Sequence, residues 1–195
     1  MFKNYLEVLG KDTRSKEDKM TNIKKYKKTE AQVIEYANNY HTNITAWDLD
    51  TKSGYEDLVK GDIAIRFGNS SAFNIDVKKG TTVSLKSILK FQGPYYLFVI
   101  GTQQYMVMKK EIKKWLSEFP KIDGRGILDI KLDDEGNLNS LDTELFLGLQ
   151  KISHPKAKLI IMSQSKTPGI KLDPKNFWNT LNKFLDFNLK GNRNA

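Results

Sequence analysis

Residues 61–80, GDIAIRFGNSSAFNIDVKKG, constrain the fold of this 195-residue chain more than any other stretch. Apolar side chains alternate with other residues over positions 63–67 and again over 73–77, which is the period of a half-buried β-strand. Four turn-forming residues, at positions 68–71, separate the two runs. The stretch is therefore predicted to form two strands joined by a turn, with the neighbouring segments packed around them.

Three of the charged side chains on or beside these strands form a candidate site. Asp76 and Lys78 fall on the face of the second strand that the apolar residues leave free, and Asp62 stands at the start of the first strand. If the strands pair as a hairpin, Asp62 comes close to Asp76. Mg²⁺ prefers carboxylate, carbonyl and water oxygens, so Asp62, Asp76 and the backbone carbonyl of Val77 are candidate ligands. Lys78 could orient a water beside the metal or stabilise charge on a phosphate. The alternative is a solvated ion pair of Asp76 with Lys78.

A fourth candidate for the same site is Glu30. The sequence TEAQ at 29–32 has the form of a helix-capping box, and Glu30 shares the inward face of the predicted helix with Val33 and Ile34. A carboxylate directed at the core needs a partner, and a metal ion with its waters is one candidate. The alternative is that Glu30 only stabilises the positive N-terminal end of the helix dipole.

These residues together resemble the motif of the PD-(D/E)xK nuclease superfamily, over roughly residues 29–119. Asp62 matches the first acid, Asp76-Val77-Lys78 matches the second acid, spacer and lysine, and Glu30 matches an acid that many members carry on an N-terminal helix. Gly61 stands where the pattern has proline.

Two other acids, Glu56 and Asp57, are rivals for the role of the first acid. Asp62 is preferred because it directly enters an alternating strand.

The resemblance implies a metal-dependent DNA endonuclease that uses Mg²⁺, for which Mn²⁺ can substitute. It implies that Asp62 and Asp76 hold the metal with the Val77 carbonyl, that Glu30 completes or tunes the site, and that Lys78 positions the nucleophile. It also implies DNA as the partner, and a homodimer so that both strands are cut.

Several kinds of protein share these features. The size suits a small type II restriction enzyme or a phage or mobile-element nuclease. One alternative is an enzyme similar to Holliday-junction resolvases. Another is a DNA-binding module that retains the fold without cutting, and a third is a structural protein whose acids form surface ion pairs.

The expected fold class is α/β, because predicted helices and strands alternate along the chain. The resemblance implies a restriction-endonuclease-like sandwich, with a central mixed β-sheet flanked by helices. Residues 1–120 would form this core, with N-terminal helices that include one over residues 2–10. Residues 121–195 would form a C-terminal α+β extension packed on the core.

Within that extension, apolar runs on both sides of Asp133-Asp134-Glu135-Gly136-Asn137 predict a β-hairpin with an acidic turn over 127–141. A strand is expected at 159–162. Asp173 followed by Pro174 predicts the start of a last helix.

The charge of the chain favours an anionic partner, with nucleic acid first. Lysine and arginine number 32 against 23 acidic residues, which gives a formal net charge of +9. Part of the excess lies in Lys24, Lys25, Lys27 and Lys28, and Lys79 directly follows the motif. These lysines are candidate contacts to backbone phosphates. The alternative is the solvated face of a helix in a lysine-rich chain.

Other classes of function find no support in the sequence. The chain has no cysteine, no phosphate-binding glycine loop, and only two histidines, which share no metal-ligand spacing. The longest apolar run, at 95–100, is too short to cross a bilayer, and the first residues lack the apolar segment of a signal peptide. We therefore expect a cytoplasmic protein with no membrane segment.

Overall fold

A mixed β-sheet with helices packed against it forms the centre of the protein. The computed structural model describes residues 16–40, 42–49, 58–152, 154, 156–161, 167–173 and 179–180. The helices are α1 (Lys16–Tyr40), α2 (Leu85–Lys90), α3 (Lys109–Ser117) and α4 (Ser140–Gln150). The strands are β1 (Ile44–Asp48), β2 (Ile63–Phe67), β3 (Phe73–Lys79), β4 (Thr82–Ser84), β5 (Tyr95–Ile100), β6 (Gln103–Met108), β7 (Ala157–Ile161), β8 (Pro168–Leu172) and β9 (Asn179–Thr180).

The main sheet has the strand order β1-β2-β3-β5-β6-β9. The predicted strand pair at 61–80 is confirmed, because β2 and β3 are antiparallel neighbours with Ile63 opposite Ile75. β3 and β5 are parallel, and the chain between them passes through β4 and α2. The other neighbouring strands are antiparallel, so the sheet is mixed, as the sequence predicts.

Alternate residues of the central strands supply two apolar clusters, one on each face of the main sheet. Ile75 and Leu97 belong to the cluster that packs against Val33 and Ala37 of α1. Tyr96 belongs to the other cluster, which includes residues of α2, α3, α4 and the second sheet. Because side chains alternate along a strand, Asp76 points to the same face as α2 and not to the face of α1.

The second sheet links two distant parts of the sequence. Its order is β4-β8-β7, with Val83 opposite Ile170 and Leu159 also opposite Ile170. Residues 82–84 therefore pair with strands that lie in the predicted C-terminal extension. The strand expected at 159–162 overlaps β7 over residues 159–161, and β8 has no counterpart among the sequence predictions.

Two local predictions are wrong. Thr29 does not cap a helix, since α1 is continuous from Lys16 and the Thr29 hydroxyl donates to the Lys25 carbonyl at 3.0 Å inside it. The hairpin expected over 127–141 is also absent from the described chain. A short 3₁₀-helix (Ile127–Asp129) and an isolated bridge between Leu132 and Leu138 stand in its place.

Several expectations fall outside the described residues. They are the helix over residues 2–10, the rival acids Glu56 and Asp57, and the last helix after Asp173. Among the helices that the structure describes, none combines the length and the apolar character needed to cross a membrane.

Candidate active site

The candidate site lies where β3 continues beyond the start of β2. Asp62 precedes β2, and its backbone N–H donates to the Ile75 carbonyl at 3.0 Å. Its side chain reaches further along β3, where carboxylate Oδ2 accepts a hydrogen bond of 2.6 Å from the Val77 N–H. If β2 extended further, a backbone carbonyl would accept this bond from β3. Here the Asp62 carboxylate accepts it instead.

Gly61 sets the direction from which Asp62 enters the strand. It has φ +85°, a value that proline, with φ fixed near −65°, cannot adopt. A Cβ atom placed on Gly61 would lie 2.8 Å from the Ile75 carbonyl oxygen and 2.7 Å from Cε2 of Phe91. The glycine is therefore required by both the backbone angle and the close approach to β3.

Asp76 is buried on the α2 face of the sheet, with only 5% of its surface exposed. The Ser87 hydroxyl of α2 donates to Asp76 Oδ2 at 2.6 Å, and the Lys78 ammonium forms an ion pair with Oδ1. Lys78 keeps 26% of its side chain exposed. The predicted pairing of Asp76 with Lys78 is present, but it is a largely buried pair and not a solvated one.

Glu30 lies in the interior of α1, with 7% of its surface exposed. The predicted inward direction is confirmed, since Val33 of the same face is fully buried. The alternative role at the positive end of the helix dipole is wrong, because α1 begins at Lys16, well before Glu30. A mid-helix carboxylate that faces inward needs another explanation.

The Lys27 ammonium is the partner of the Glu30 carboxylate. It lies 3.0 Å from the buried Glu30 Oε2 and forms an ion pair with it. The same ammonium also lies 3.1 Å from Asp48 at the end of β1. Burial alone would lower the pKa of Lys27, but the carboxylates of Glu30 and Asp48 outweigh it and hold that pKa above its ordinary value.

Asp62 is close enough to the other three candidate residues to be influenced by their charges. Burial, together with the negative charges of Asp76 and Glu30, raises the pKa of Asp62 to about 8. The Lys78 charge and the hydrogen bond from Val77 oppose this rise without cancelling it. A cation bound beside Asp62 would favour the ionised form of its carboxylate, because an opposite charge offsets the burial and the neighbouring negative charges.

The Val77 carbonyl points toward the same edge as the Asp62 side chain. In a β-strand the N–H and C=O of one residue point to the same side, and the Val77 N–H is directed at Asp62. This carbonyl therefore lies on the side of β3 where the sequence places a metal ligand.

The lysines proposed as phosphate contacts occupy two places. Lys24, Lys25 and Lys28 are exposed on the first half of α1, and Lys79 is exposed at the end of β3. Lys27 differs from its neighbours because its ammonium lies between Glu30 and Asp48.

The donors at this edge suit Mg²⁺ in their chemistry. They are carboxylate and carbonyl oxygens, and the carboxylates of Asp76 and Glu30 are buried. In the described part of the chain, however, no three His, Cys, Asp or Glu side chains lie close enough to hold a metal ion. A metal bound here would have to draw the carboxylates of Glu30, Asp62 and Asp76 closer together than the structure places them.

Sequence reasoning missed two residues that contact Asp76 directly or through a neighbour. Ser87 is a polar residue close to Leu85, Ile88 and Leu89 on α2. A polar side chain in an apolar stripe indicates that it has a buried hydrogen-bond partner, and this was the signal that could have identified it. Tyr96 lies in an uninterrupted apolar strand, and nothing in its neighbourhood distinguishes its hydroxyl.

Comparisons with protein-family models, with curated proteins and with solved structures found no match for this chain.

Proposed function

We propose that the protein is a metal-dependent DNA endonuclease that hydrolyses phosphodiester bonds, of a type II restriction-like or phage or mobile-element kind. The observation that carries the proposal is the position of Asp62, whose carboxylate is hydrogen-bonded to β3 between Asp76 and Lys78 and is acted on by the charges of Asp76, Lys78 and Glu30. The raised pKa of Asp62 supports it, because that carboxylate is influenced by the charges of the other three residues.

The roles of the residues follow from their surroundings. Asp62 and Asp76 would hold Mg²⁺, or Mn²⁺ in its place, together with the Val77 carbonyl, and Glu30 would complete the site. When bound, the ion supplies Lewis-acid stabilisation of charge on the phosphate. Lys78 is part exposed, so its ammonium can leave Asp76 Oδ1 to orient the attacking water and stabilise negative charge on the phosphate.

The order of elements around the site also supports this proposal. A helix carrying Glu30 precedes the strands that carry Asp62 and Asp76, and α2 then connects β3 to the parallel strand β5. This order agrees at the coarse level with the core that the resemblance implies. The exposed lysines of α1 provide positive charge for the DNA backbone, and two copies would be needed to cut both strands.

A DNA-binding module that does not cut is the second candidate. The ion pair of Lys78 with Asp76 favours it, because the ammonium already neutralises one carboxylate of the site. In such a module the lysines of α1 bind DNA, and the ion pair of Asp76 with Lys78 stabilises the fold without taking part in catalysis.

The two candidates are separated by a cleavage assay with isosteric variants. Purified wild type, Asp76→Asn and Lys78→Met are incubated with plasmid, phage DNA and a four-way junction in Mg²⁺ or Mn²⁺. Lys158→Met is the matched control, since Lys158 is exposed on β7 in the second sheet. The proposal expects wild type and the control to cut, with losses on the order of 100-fold or more in the two site variants.

Each pattern of cleavage has a distinct meaning. Discrete fragments from linear DNA support a restriction-like enzyme, whereas cutting confined to the junction supports a resolvase-like one. Binding of DNA without cutting by wild type favours the non-catalytic module. Undiminished cutting by Asp76→Asn and Lys78→Met overturns the assignment of these two residues.

A further inference from the structure

A chain of hydroxyl groups connects Asp76 to the interior of the protein. Ser87 donates to Asp76 Oδ2 at 2.6 Å, and the oxygens of Ser87 and Tyr96 lie 3.2 Å apart. Ser87 and Tyr96 have 1% and 0% of their surfaces exposed, so no solvent competes for these bonds. We call these two residues the hydroxyl relay.

The direction of each bond in the hydroxyl relay follows from the number of protons. A serine hydroxyl has a single proton, and Ser87 gives it to the Asp76 carboxylate, which can only accept. The bond between Ser87 and Tyr96 must therefore be donated by the phenol. Burial, with the nearby charge of Asp76, raises the pKa of Tyr96, which keeps that phenolic proton in place.

Both members of the hydroxyl relay are fixed by packing. The Tyr96 ring packs at 5.2 Å from the Phe91 ring and 6.2 Å from the Phe98 ring, measured between centroids. Ser87 lies between two fully buried residues of the apolar core, Leu85 and Ile88, on α2. The relay is therefore a rigid support against which a carboxylate can be oriented.

The Asp76 carboxylate is held at both of its oxygens by groups of different mobility. Oδ1 contacts the ammonium of Lys78, on a long and part-exposed side chain, whereas Oδ2 contacts a serine fixed in the core. If Lys78 moves toward the reacting phosphate, the hydrogen bond from Ser87 still restrains rotation of the carboxylate. Burying two hydroxyls in a core is unfavourable unless they are hydrogen-bonded, so their placement needs a partner such as Asp76.

We propose that Ser87 and Tyr96 are positioning residues that hold the Asp76 carboxylate in the orientation required for binding the metal ion. This inference rests on the proposed nuclease function. Groups that hydrogen-bond to a metal-binding carboxylate orient it, and their loss lowers metal affinity by about 10- to 100-fold. Ser87 acts on the carboxylate directly, and Tyr96 acts through Ser87 by fixing the direction of its proton.

The test measures Mn²⁺ affinity of the whole chain by calorimetry, without DNA, in Ser87→Ala, Tyr96→Phe and the double variant. We expect Ser87→Ala to bind Mn²⁺ about 10- to 100-fold more weakly and Tyr96→Phe to show a smaller loss. Because Tyr96 acts through Ser87, the double variant should bind no more weakly than Ser87→Ala alone. Ile88→Val is the control, since it removes a buried methyl from α2 without touching a hydrogen bond.

The outcomes separate this inference from the proposed function. A wild type that binds no Mn²⁺ and cuts no DNA overturns both. The relay alone is overturned if wild type binds Mn²⁺ and cuts DNA while Ser87→Ala and Tyr96→Phe bind Mn²⁺ as tightly as Ile88→Val does. Additive losses in the double variant overturn the role of Tyr96 through Ser87. If Ser87→Ala does not fold, the comparison of Tyr96→Phe with Ile88→Val decides, because removing only the phenol oxygen preserves the packing of the ring.

Discussion

The carboxylate of Asp62 accepts a 2.6 Å hydrogen bond from the Val77 N–H, so the acid before β2 is tied to the residue between Asp76 and Lys78. This bond keeps the carboxylate near Asp76 and Glu30 although their charges disfavour its ionised form. The raised pKa of Asp62 is a direct consequence of the geometry of the site, and it can be measured without knowing the substrate.

The first prediction concerns stability against pH in metal-free buffer. The pKa of Asp62 rises from an ordinary 3.8 to about 8 in the folded protein. Between these values the folded protein holds a proton that the unfolded chain has lost, so the stability that this group contributes is full below pH 3.8 and is lost as the pH rises toward 8. The decline should be at most about 1.4 kcal/mol per pH unit.

Asp62→Asn provides the comparison for this pH dependence, since its amide oxygen can still accept from the Val77 N–H. Urea unfolding of both proteins from pH 4 to 9 should show wild type losing stability relative to the variant as the pH rises. Added Mg²⁺ should restore wild type at high pH, because the metal competes with the proton for the carboxylate. A difference between the proteins that does not change with pH would contradict the raised pKa.

The second prediction concerns the turn into β2. Gly61→Ala introduces a Cβ at φ +85°, 2.8 Å from the Ile75 carbonyl oxygen, so both the backbone angle and a steric contact oppose it. Gly68 is the matched control, since it has φ +52° with no atom within 4 Å of the added Cβ. Gly61→Ala should cost about 1–3 kcal/mol more than Gly68→Ala in the free energy of unfolding, measured with urea. Equal costs would show that the contact with β3 relaxes freely.

The central strands, the approach of Asp62 to Asp76 and the direction of Glu30 could be predicted because their signals are local. Alternation on both sides of a turn fixes β2 and β3, and the pairing of these strands brings Asp62 to Asp76. The inward direction of Glu30 likewise follows from helical spacing within a few residues.

Other features depend on contacts that sequence spacing does not contain. Thr29 has the sequence form of a helix cap, but its hydroxyl is satisfied by the carbonyl of Lys25, and the helix continues through it. Likewise Asn139 caps α4 by accepting from the Asp142 N–H, where alternation had indicated the second strand of a hairpin. The hydroxyl relay joins residues of β3, α2 and β5, and only the crossover between the parallel strands brings them together.

The third prediction concerns the buried carboxylate of α1. Glu30→Gln removes a proposed metal ligand, and it also breaks the ion pair with Lys27. The metal-free melting temperature of each protein is therefore the reference, and the increase in melting temperature on adding Mg²⁺ should shrink in the variant, because a ligand that binds the folded state stabilises it more when its affinity is higher. Thermal unfolding with and without Mg²⁺ measures this increase.

Glu35→Gln is the control for Glu30→Gln, since Glu35 is an exposed acid on the same helix. It should leave the Mg²⁺ effect on the melting temperature unchanged. A Glu30→Gln protein that gains as much from Mg²⁺ as wild type would contradict the metal role of Glu30.

The last prediction concerns the exposed lysines of α1. If Lys24, Lys25 and Lys28 bind backbone phosphates, replacing all three with glutamine should weaken DNA binding and flatten its dependence on salt. For every phosphate that the variant no longer binds, the slope of log affinity against log salt concentration should fall by about 1. Fluorescence anisotropy with a labelled duplex, in buffer without divalent metal, measures affinity and slope together.

A second triple variant separates local binding from net charge in this experiment. Lys114, Lys121 and Lys158 are equally exposed but lie on α3, in the segment after it, and on β7. Replacing these three with glutamine lowers the net charge by the same amount, so a general attraction to the polyanion would weaken equally in both variants. If the slope falls only in the α1 variant, α1 is the surface that meets the DNA backbone. Equal changes would show that its lysines are a solvated helix face, and that the charge of the whole protein governs any binding.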